Sequence, residues 1–143
     1  MNCPESRFFL VLTAVLCVIG LTSCAHEQQL TSITIQPNKE VFGAANIPVS
    51  ADAGLTVQAR AIGNYIHPPV SKDITDQVVW KSNTPDIATV DAATGLVTAT
   101  GDACGDALIS ATFTTNHSIG NVSSTGAIVT GNMTATVVCS TAP

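Results

Sequence analysis

The chain has 143 residues, a net charge of −5 and a hydrophobic content of 45%, while only 10% of its residues are charged. This length suits one domain with a short leader and argues against two full domains. The five basic residues are scattered singly, so no basic stripe can neutralise phosphates, which argues against nucleic-acid binding. The apolar content is too high for a disordered chain. Many Thr, Ala, Val and Gly residues favour strands and turns over helices.

The chain begins with an uncharged apolar segment over residues 8–20, followed by Leu21-Thr22-Ser23-Cys24. Thirteen residues are too few for an ordinary membrane span but typical of a secretory signal. The tetrapeptide resembles the lipobox of bacterial lipoproteins, in which an apolar residue and two small residues precede an invariant Cys. This resemblance implies cleavage before Cys24 and acylation of Cys24, which would hold the protein on a bilayer. A plain secretory signal and an uncleaved short anchor are the alternatives.

The lipobox interpretation divides the chain into a signal peptide over 1–23, a lipidated tether over 24–29 and one domain over 30–143. Cys3 and Cys17 would be lost with the leader, so neither carries function. Ala25 follows the lipidated Cys at the position where an Asp would favour retention in the inner membrane. We therefore expect a bacterial envelope location with the outer membrane favoured and the leaflet open. The expected partners are the membrane, through Cys24, and an envelope or surface protein.

From Leu30 onward, short alternating segments are separated by turn residues, and no helical period of useful length occurs. Seven strands are predicted, over residues 31–36, 55–61, 78–82, 87–90, 96–100, 107–113 and 133–139. Leu55, Val57, Ala59 and Ala61 are expected to face inward in the second of them, and so are Trp80 and Phe113 in theirs. Seven strands in about 110 residues predict an all-β, two-sheet antiparallel sandwich.

The middle of the chain also carries a family pattern. It consists of Trp80-Lys81-Ser82-Asn83, then Ala88-Thr89-Val90-Asp91, then Gly95-Leu96-Val97-Thr98-Ala99. This run resembles the signature of the bacterial Ig-like domains, group 2, and the resemblance covers about Leu30 to Cys139. Residues 102–106 depart from that family's compact glycine turn, and residues 114–132 are longer than its usual final hairpin. The resemblance implies an Ig-like β-sandwich.

The same resemblance implies a class of function. The family is associated with adhesins and cell-surface proteins. We therefore expect a non-catalytic module that acts in protein interaction or has a structural role at the envelope or surface. An adhesin or a carbohydrate-binding surface protein is the alternative.

Two cysteines, Cys104 and Cys139, remain once the leader and Cys24 are set aside. In the Ig-like topology that the resemblance implies, the strand from Ala107 runs antiparallel to the last strand. The start of one strand then lies beside the end of the other, where these two Cys fall. An oxidising envelope favours a disulfide between them, and two free thiols are the alternative. The bridge would be structural, because no His or Lys lies nearby in sequence to activate a thiolate.

The chain carries few side chains suited to catalysis. His26, His67 and His117 are the only side chains that ordinarily titrate near neutral pH. Neither a nucleophile-elbow pattern, a zinc-protease pattern nor a phosphate-binding glycine loop occurs, so we expect no enzyme activity and no cofactor. Four acidic residues fall in predicted turns and could offer oxygen ligands to Ca²⁺: Asp86, Asp91, Asp102 and Asp106. They lack EF-hand spacing, so no metal site is predicted.

Two segments are long for this fold, 62–77 and 114–132, and we predict both as loops that cluster at one end of the sandwich. Because loops carry function more often than strands, their residues Tyr65, His67 and His117 are the candidate binding residues. Tyr65 is expected to be the best exposed aromatic, although one ring makes a poor platform for sugars. The chain from Cys24 to Leu30 spans at most about 20 Å. The loop end is therefore predicted to face the membrane, with the two cysteines at the far end.

Overall fold

The structure, a computed structural model, describes residues 28–119 and 122–140, which form β-strands and one short 3-10 helix over Val49–Asp52. The strands are β1 (Gln29–Gln36), β2 (Lys39–Phe42), β3 (Thr56–Gln58), β4 (Arg60–Ile66), β5 (Val70–Asp73), β6 (Val79–Ser82), β7 (Ala88–Val90), β8 (Leu96–Ala99), β9 (Gly105–Ile119) and β10 (Val122–Val137). The predicted all-β class is confirmed. Within the described residues, no helix is both long and apolar enough to span a bilayer. The predicted leader, Cys24 and His26 lie outside these residues.

The strands build two facing layers. One layer is a four-stranded sheet in the order β2-β10-β9-β6, in which β2 joins β10 in parallel and the other pairs are antiparallel. The second layer consists of two three-stranded sheets, β1-β4-β5 and β3-β8-β7. Ala59 alone separates β3 from β4, so these two strands link the smaller sheets. The predicted strand over 55–61 is therefore two strands, which pair with different neighbours.

The core lies between the layers and follows the alternation of the strands. Ile33 and Ile35 of β1 are buried, and Ala107, Ile109 and Ala111 of β9 have no exposed surface. Each strand places successive side chains on opposite faces, so this burial follows from the two-residue period. One inward assignment is wrong. Leu55 is 44% exposed and lies just before β3 begins.

Two aromatic residues predicted to face inward, Trp80 and Phe113, differ in how far they are buried. Trp80 is 2% exposed and lies in the core. Phe113 is half-buried and packs against this core. Trp80 is thus fully enclosed between the layers, while Phe113 marks the edge of the enclosed region.

The two predicted long loops are largely strand. Segment 62–77 contains most of β4 and all of β5, and segment 114–132 contains parts of β9 and β10. The loop predictions are therefore wrong, for a physical reason. β5 is exposed along its whole length, and past Phe113 the described side chains on β9 are not fully buried. Neither segment shows the alternation of apolar and polar residues that identifies a half-buried strand.

The ends of the sandwich are set by the strand directions. β1 runs in the same sense as β10, because β2 continues β1 and pairs in parallel with β10. A Cβ at Gly131 of β10 would lie 2.5 Å from the carbonyl oxygen of Ile33 in β1. The start of β1 thus lies toward the far end of the β9–β10 pair, together with the β4–β5 turn. We name this the chain-start end, defined by Gln29, Ile66 and Val70.

A disulfide closes the opposite end. Cys104 and Cys139 are bridged, with an S–S distance of 1.98 Å and a Cα–Cα distance of 5.0 Å. Gly105 and Val137, the first and last residues of the β9–β10 pair, lie opposite each other, so the two Cys flank the end of the ladder. The predicted bridge is confirmed, and we name this region the disulfide end.

Candidate binding surface

Tyr65 lies on β4 at the chain-start end, opposite Leu30 of β1 and Val70 of β5. The ring is half-buried and packs on the core, so the residue predicted to be the best exposed aromatic is only partly open to solvent. Gly63, on the same face of the strand, has no side chain, and the ring edge lies over it. Extending the inward phase of Ala59 and Ala61 by two more steps would have assigned Tyr65 to the inner face.

Lys72 of β5 covers the remaining part of the Tyr65 ring. Its ammonium nitrogen lies 5.2 Å from the ring centroid, which is within the range of a cation–π interaction. The same Nζ donates a hydrogen bond to Oε1 of Gln28 at 2.5 Å. Lys72 therefore connects β5 to the residue just before β1, where the chain enters the domain.

The two candidate His residues occupy different elements. His67 is exposed in the β4–β5 turn, with φ of 63° and a cis peptide bond to Pro68. A φ in the left-handed region is uncommon for a residue with a side chain, although His is among the types that adopt it. The backbone of His117 lies in β9 opposite Ser124, and its side chain is outside the described residues. Tyr65 and His67 thus share the β4–β5 hairpin, whereas His117 belongs to the β9–β10 hairpin.

A row of polar side chains crosses the outer face of the β1-β4-β5 sheet and was missed by the sequence analysis. Asn64 donates through Nδ2 to the hydroxyls of Ser32 and Thr34 at 3.1 and 3.2 Å. Its Oδ1 accepts from the Ser71 hydroxyl at 2.8 Å. Asn64 therefore forms hydrogen bonds to side chains on both β1 and β5, and the row links these two strands to β4. The two-residue period places Asn64 outward, but the partners depend on the strand order.

The residues of the Ig-like signature pack in the core and form the turn before β8. Gly95 has φ of +74°, and a Cβ there would lie 2.7 Å from the Trp80 indole. The indole Nε1 donates to the carbonyl of Thr75 at 3.1 Å. Asp91 Oδ1 accepts from the N–H groups of Ala93 and Thr94 and from the Thr94 hydroxyl, which closes the turn before β8. This pattern is therefore explained by packing and turn geometry.

We expect the Asp91 turn to make stability depend on pH. Its hydrogen bonds, first from the Thr94 hydroxyl and then from the N–H groups of Thr94 and Ala93, lower the pKa of the Asp91 carboxyl below its ordinary 3.8. Because folding lowers this pKa, the carboxylate adds stability above the unfolded pKa, and this is lost as the pH falls through the folded pKa. Asp91→Asn should lower the free energy of unfolding at neutral pH, and the difference from the parent should vanish in strong acid.

Urea unfolding at several pH values tests this expectation. Asp76→Asn is the matched control, since Asp76 is exposed and its side chain forms no hydrogen bond within the described part of the chain. The control should follow the parent at every pH. A difference between Asp91→Asn and the parent that stays constant into strong acid would show that the turn acts without its charge.

One buried carboxylate lies near the disulfide end. Asp52 is 2% exposed, and its Oδ2 has no hydrogen-bond partner. The carboxylate fills the space beside Gly43, where a Cβ would lie 2.1 Å from Oδ2. Among the residues that the structure describes, no three His, Cys, Asp or Glu side chains are grouped as metal ligands would be. Of the four acidic residues predicted in turns, Asp106 instead lies in β9, next to the first residue of that strand.

The comparisons with known proteins agree with this geometry. The family model for the bacterial Ig-like domain (group 2) matches residues 29–119. This stretch holds β1 to β9 and the whole Trp80–Ala99 signature, while β10 lies beyond it. A search of curated proteins gives no match. The match covers more than half of the chain and ends where the β9 strand ends.

Proposed function

Because the chain belongs to the bacterial Ig-like domain (group 2) family, we propose that it is a lipid-anchored envelope protein whose domain is a non-catalytic module for protein interaction or structure. One observation carries the proposal. Gln29, the first residue of β1, follows the lipobox Cys24 by only five residues and lies at the chain-start end. An acylated Cys24 would therefore hold that end close to the bilayer.

The length of the tether supports this orientation. The chain from Cys24 to Gln29 reaches at most about 17 Å when fully extended. Lys72 further shortens the free segment by binding Gln28. The β4–β5 turn would then face the membrane and the proteins beside it, while the disulfide end would point away. A partner already resident in the envelope fits this orientation best.

The carbohydrate-binding alternative would require aromatic faces open to solvent. Among the described residues, Phe42 and Trp80 are buried, and Tyr65 and Phe113 are half-buried. Lys72 also lies over the Tyr65 ring. Because sugar platforms depend on exposed rings, the geometry favours a protein partner over a glycan.

Site-specific photo-cross-linking in bacterial cells tests the proposal. A photoreactive amino acid at Ser71, which is exposed on β5, samples the chain-start end. The same amino acid at Asp102, which is exposed next to Cys104, is the matched control at the disulfide end. We expect one envelope protein to be captured from position 71 and not from position 102. The capture should be lost in the Cys24→Ala variant.

The outcomes separate the parts of the proposal. Capture that persists in Cys24→Ala would contradict the role of the lipid anchor. Capture from position 102 alone would contradict the orientation. Failure of both positions to capture any envelope protein would contradict the interaction role.

A further inference from the structure

The β9 strand has a free edge beyond the sandwich. The pairing of β6 with β9 ends at Val79 opposite Thr112, whereas β9 continues to Ile119 with β10 as its only described partner. Residues 113–119 of β9 therefore present unpaired backbone N–H and C=O groups along one side. This free edge is about 20 Å long at the usual rise of a strand.

The other outer strands of the described sheets carry features that block pairing with another chain. β2, β5 and β6 are each four residues long and contain charged side chains. These are Lys39 and Glu40 in β2, Lys72 and Asp73 in β5, and Lys81 in β6. β3 and β7, the edges of the third sheet, have three residues each. β1 is uncharged but lies against β10. Short length, charge and coverage are the usual protections of sheet edges.

The other edge of the β9–β10 ribbon is interrupted. The register of β10 shifts between Thr125 and Ile128, which places one extra residue opposite β9. A Cβ at Gly126 would lie 2.4 Å from the Thr115 hydroxyl oxygen, so the bulge is closely packed. A bulge twists the strand and disturbs its outward hydrogen-bonding groups. The free edge of β9 has no such irregularity within residues 113–119.

The composition of the free edge favours pairing. Residues 113–119 contain no Asp, Glu, Lys or Arg, no Pro and no Gly, and His117 is their one ionisable side chain. Segments of six or seven residues with this composition pair readily with a strand of another chain. Asp106 is the last Asp, Glu, Lys or Arg along the β9–β10 ribbon, so the ribbon beyond it contains none of these residues.

We propose that the free edge of β9 pairs with the same edge of a second copy of this chain. Self-pairing requires that identical edges meet without opposing like charges, and this edge satisfies that requirement. Residues 28–140 contain eight acidic and four basic residues, so two copies carry the same sign of net charge, but the ribbon beyond Asp106 contains none of these residues. Two identical edges pair antiparallel about a twofold axis, which makes a closed dimer. With the axis at the centre of the segment, Asn116 of one copy lies opposite Asn116 of the other.

Cysteine cross-linking of the full chain in bacterial cells tests the pairing. Directly opposed residues on antiparallel strands have Cα atoms about 5 Å apart, within disulfide range. Asn116→Cys should therefore give a covalent dimer on a non-reducing gel. Thr125→Cys is the matched control, because Thr125 faces Asn116 across the ribbon. In the dimer its Cα atoms would be three strand spacings apart, about 14 Å, and the yield should be about tenfold lower.

A charge on the edge gives a second readout. Thr114→Lys, added to Asn116→Cys, should reduce the dimer about fivefold, because an edge Lys opposes strand pairing. Ile128→Lys is its control, since Ile128 lies on β10 directly opposite Thr114 of β9 and is 63% exposed. Single cysteines over 114–118 identify the position of the axis if it is shifted. The proposal is overturned if no position in 114–118 exceeds Thr125→Cys, or if both Lys variants act alike. Neither result bears on acylation of Cys24.

Discussion

Replacement of Trp80 by Ala should lower the free energy of unfolding by about 4 kcal/mol. The indole is 2% exposed and lies where both layers meet, between β9 and the turn at Gly95. Ala would leave a cavity beside Gly95, which has no side chain to fill it. It would also leave the carbonyl of Thr75 without its hydrogen bond from Nε1. Both losses act on the folded state, so urea unfolding measures their sum.

Trp80→Phe separates the two losses. Phe keeps an aromatic ring in the core but cannot donate to Thr75, so we expect a smaller loss, about 1–2 kcal/mol for the unpaired carbonyl together with the smaller ring. If Trp80→Ala costs no more than Trp80→Phe, the indole does not fill the space that its packing against Gly95 indicates. The structural explanation of the signature would then be wrong.

Removal of the disulfide should lower the free energy of unfolding by about 3–4 kcal/mol. The bridge closes a loop with 34 residues between Cys104 and Cys139. Because the two strands of this loop already pair along their whole length in the fold, the bridge adds few native contacts. Its stabilisation is expected to come mainly from restricting the unfolded chain.

The measurement compares the parent with a Cys104→Ala, Cys139→Ala double variant, each with and without reductant. We expect reductant to lower the free energy of unfolding of the parent nearly to that of the double variant. Reductant should leave the double variant unchanged. A loss below about 1 kcal/mol in the double variant would contradict the loop-closure argument.

The sequence predicted the enclosed part of the fold well because burial leaves a two-residue pattern. Ile33 and Ile35, and the inward residues of β9, were assigned correctly for this reason. The bridge between Cys104 and Cys139 followed from the family topology and is confirmed. Where one face of a strand is buried and the other is exposed to solvent, apolar and polar residues alternate, and the sequence alone shows which face is buried.

The remaining strands could not be recognised from that pattern. β5 has both faces exposed, so its residues carry no alternation. It is held by backbone pairing with β4 and by the cross-strand contacts of Ser71 and Lys72. β2 has four residues, two of them charged, and pairs in parallel with a strand about a hundred residues later, which no local signal indicates. The division between β3 and β4 at Ala59 likewise depends on which strand lies alongside each half.

The candidate site was only partly predictable. The sequence placed Tyr65, His67 and the start of the first strand at one end, and the pairing of Gln29 with Ile66 agrees with this. It did not show that Lys72 covers the half-buried ring of Tyr65, because Lys72 belongs to a strand that had not been recognised. The polar row around Asn64 was missed for the same reason, since Ser71 belongs to β5. Contacts across strands require the strand order, which one sequence does not provide.

Lipid anchoring at Cys24 is tested most directly by the mass of the N-terminal peptide of the mature protein, isolated from the envelope of a bacterium that expresses the full chain. We predict that this peptide begins at Cys24 and carries a diacylglyceryl thioether and an N-acyl chain, and that the Cys24→Ala variant keeps its leader. A mature chain that begins at another residue, or a Cys24 without lipid, would contradict the anchoring on which the proposed orientation of the domain depends.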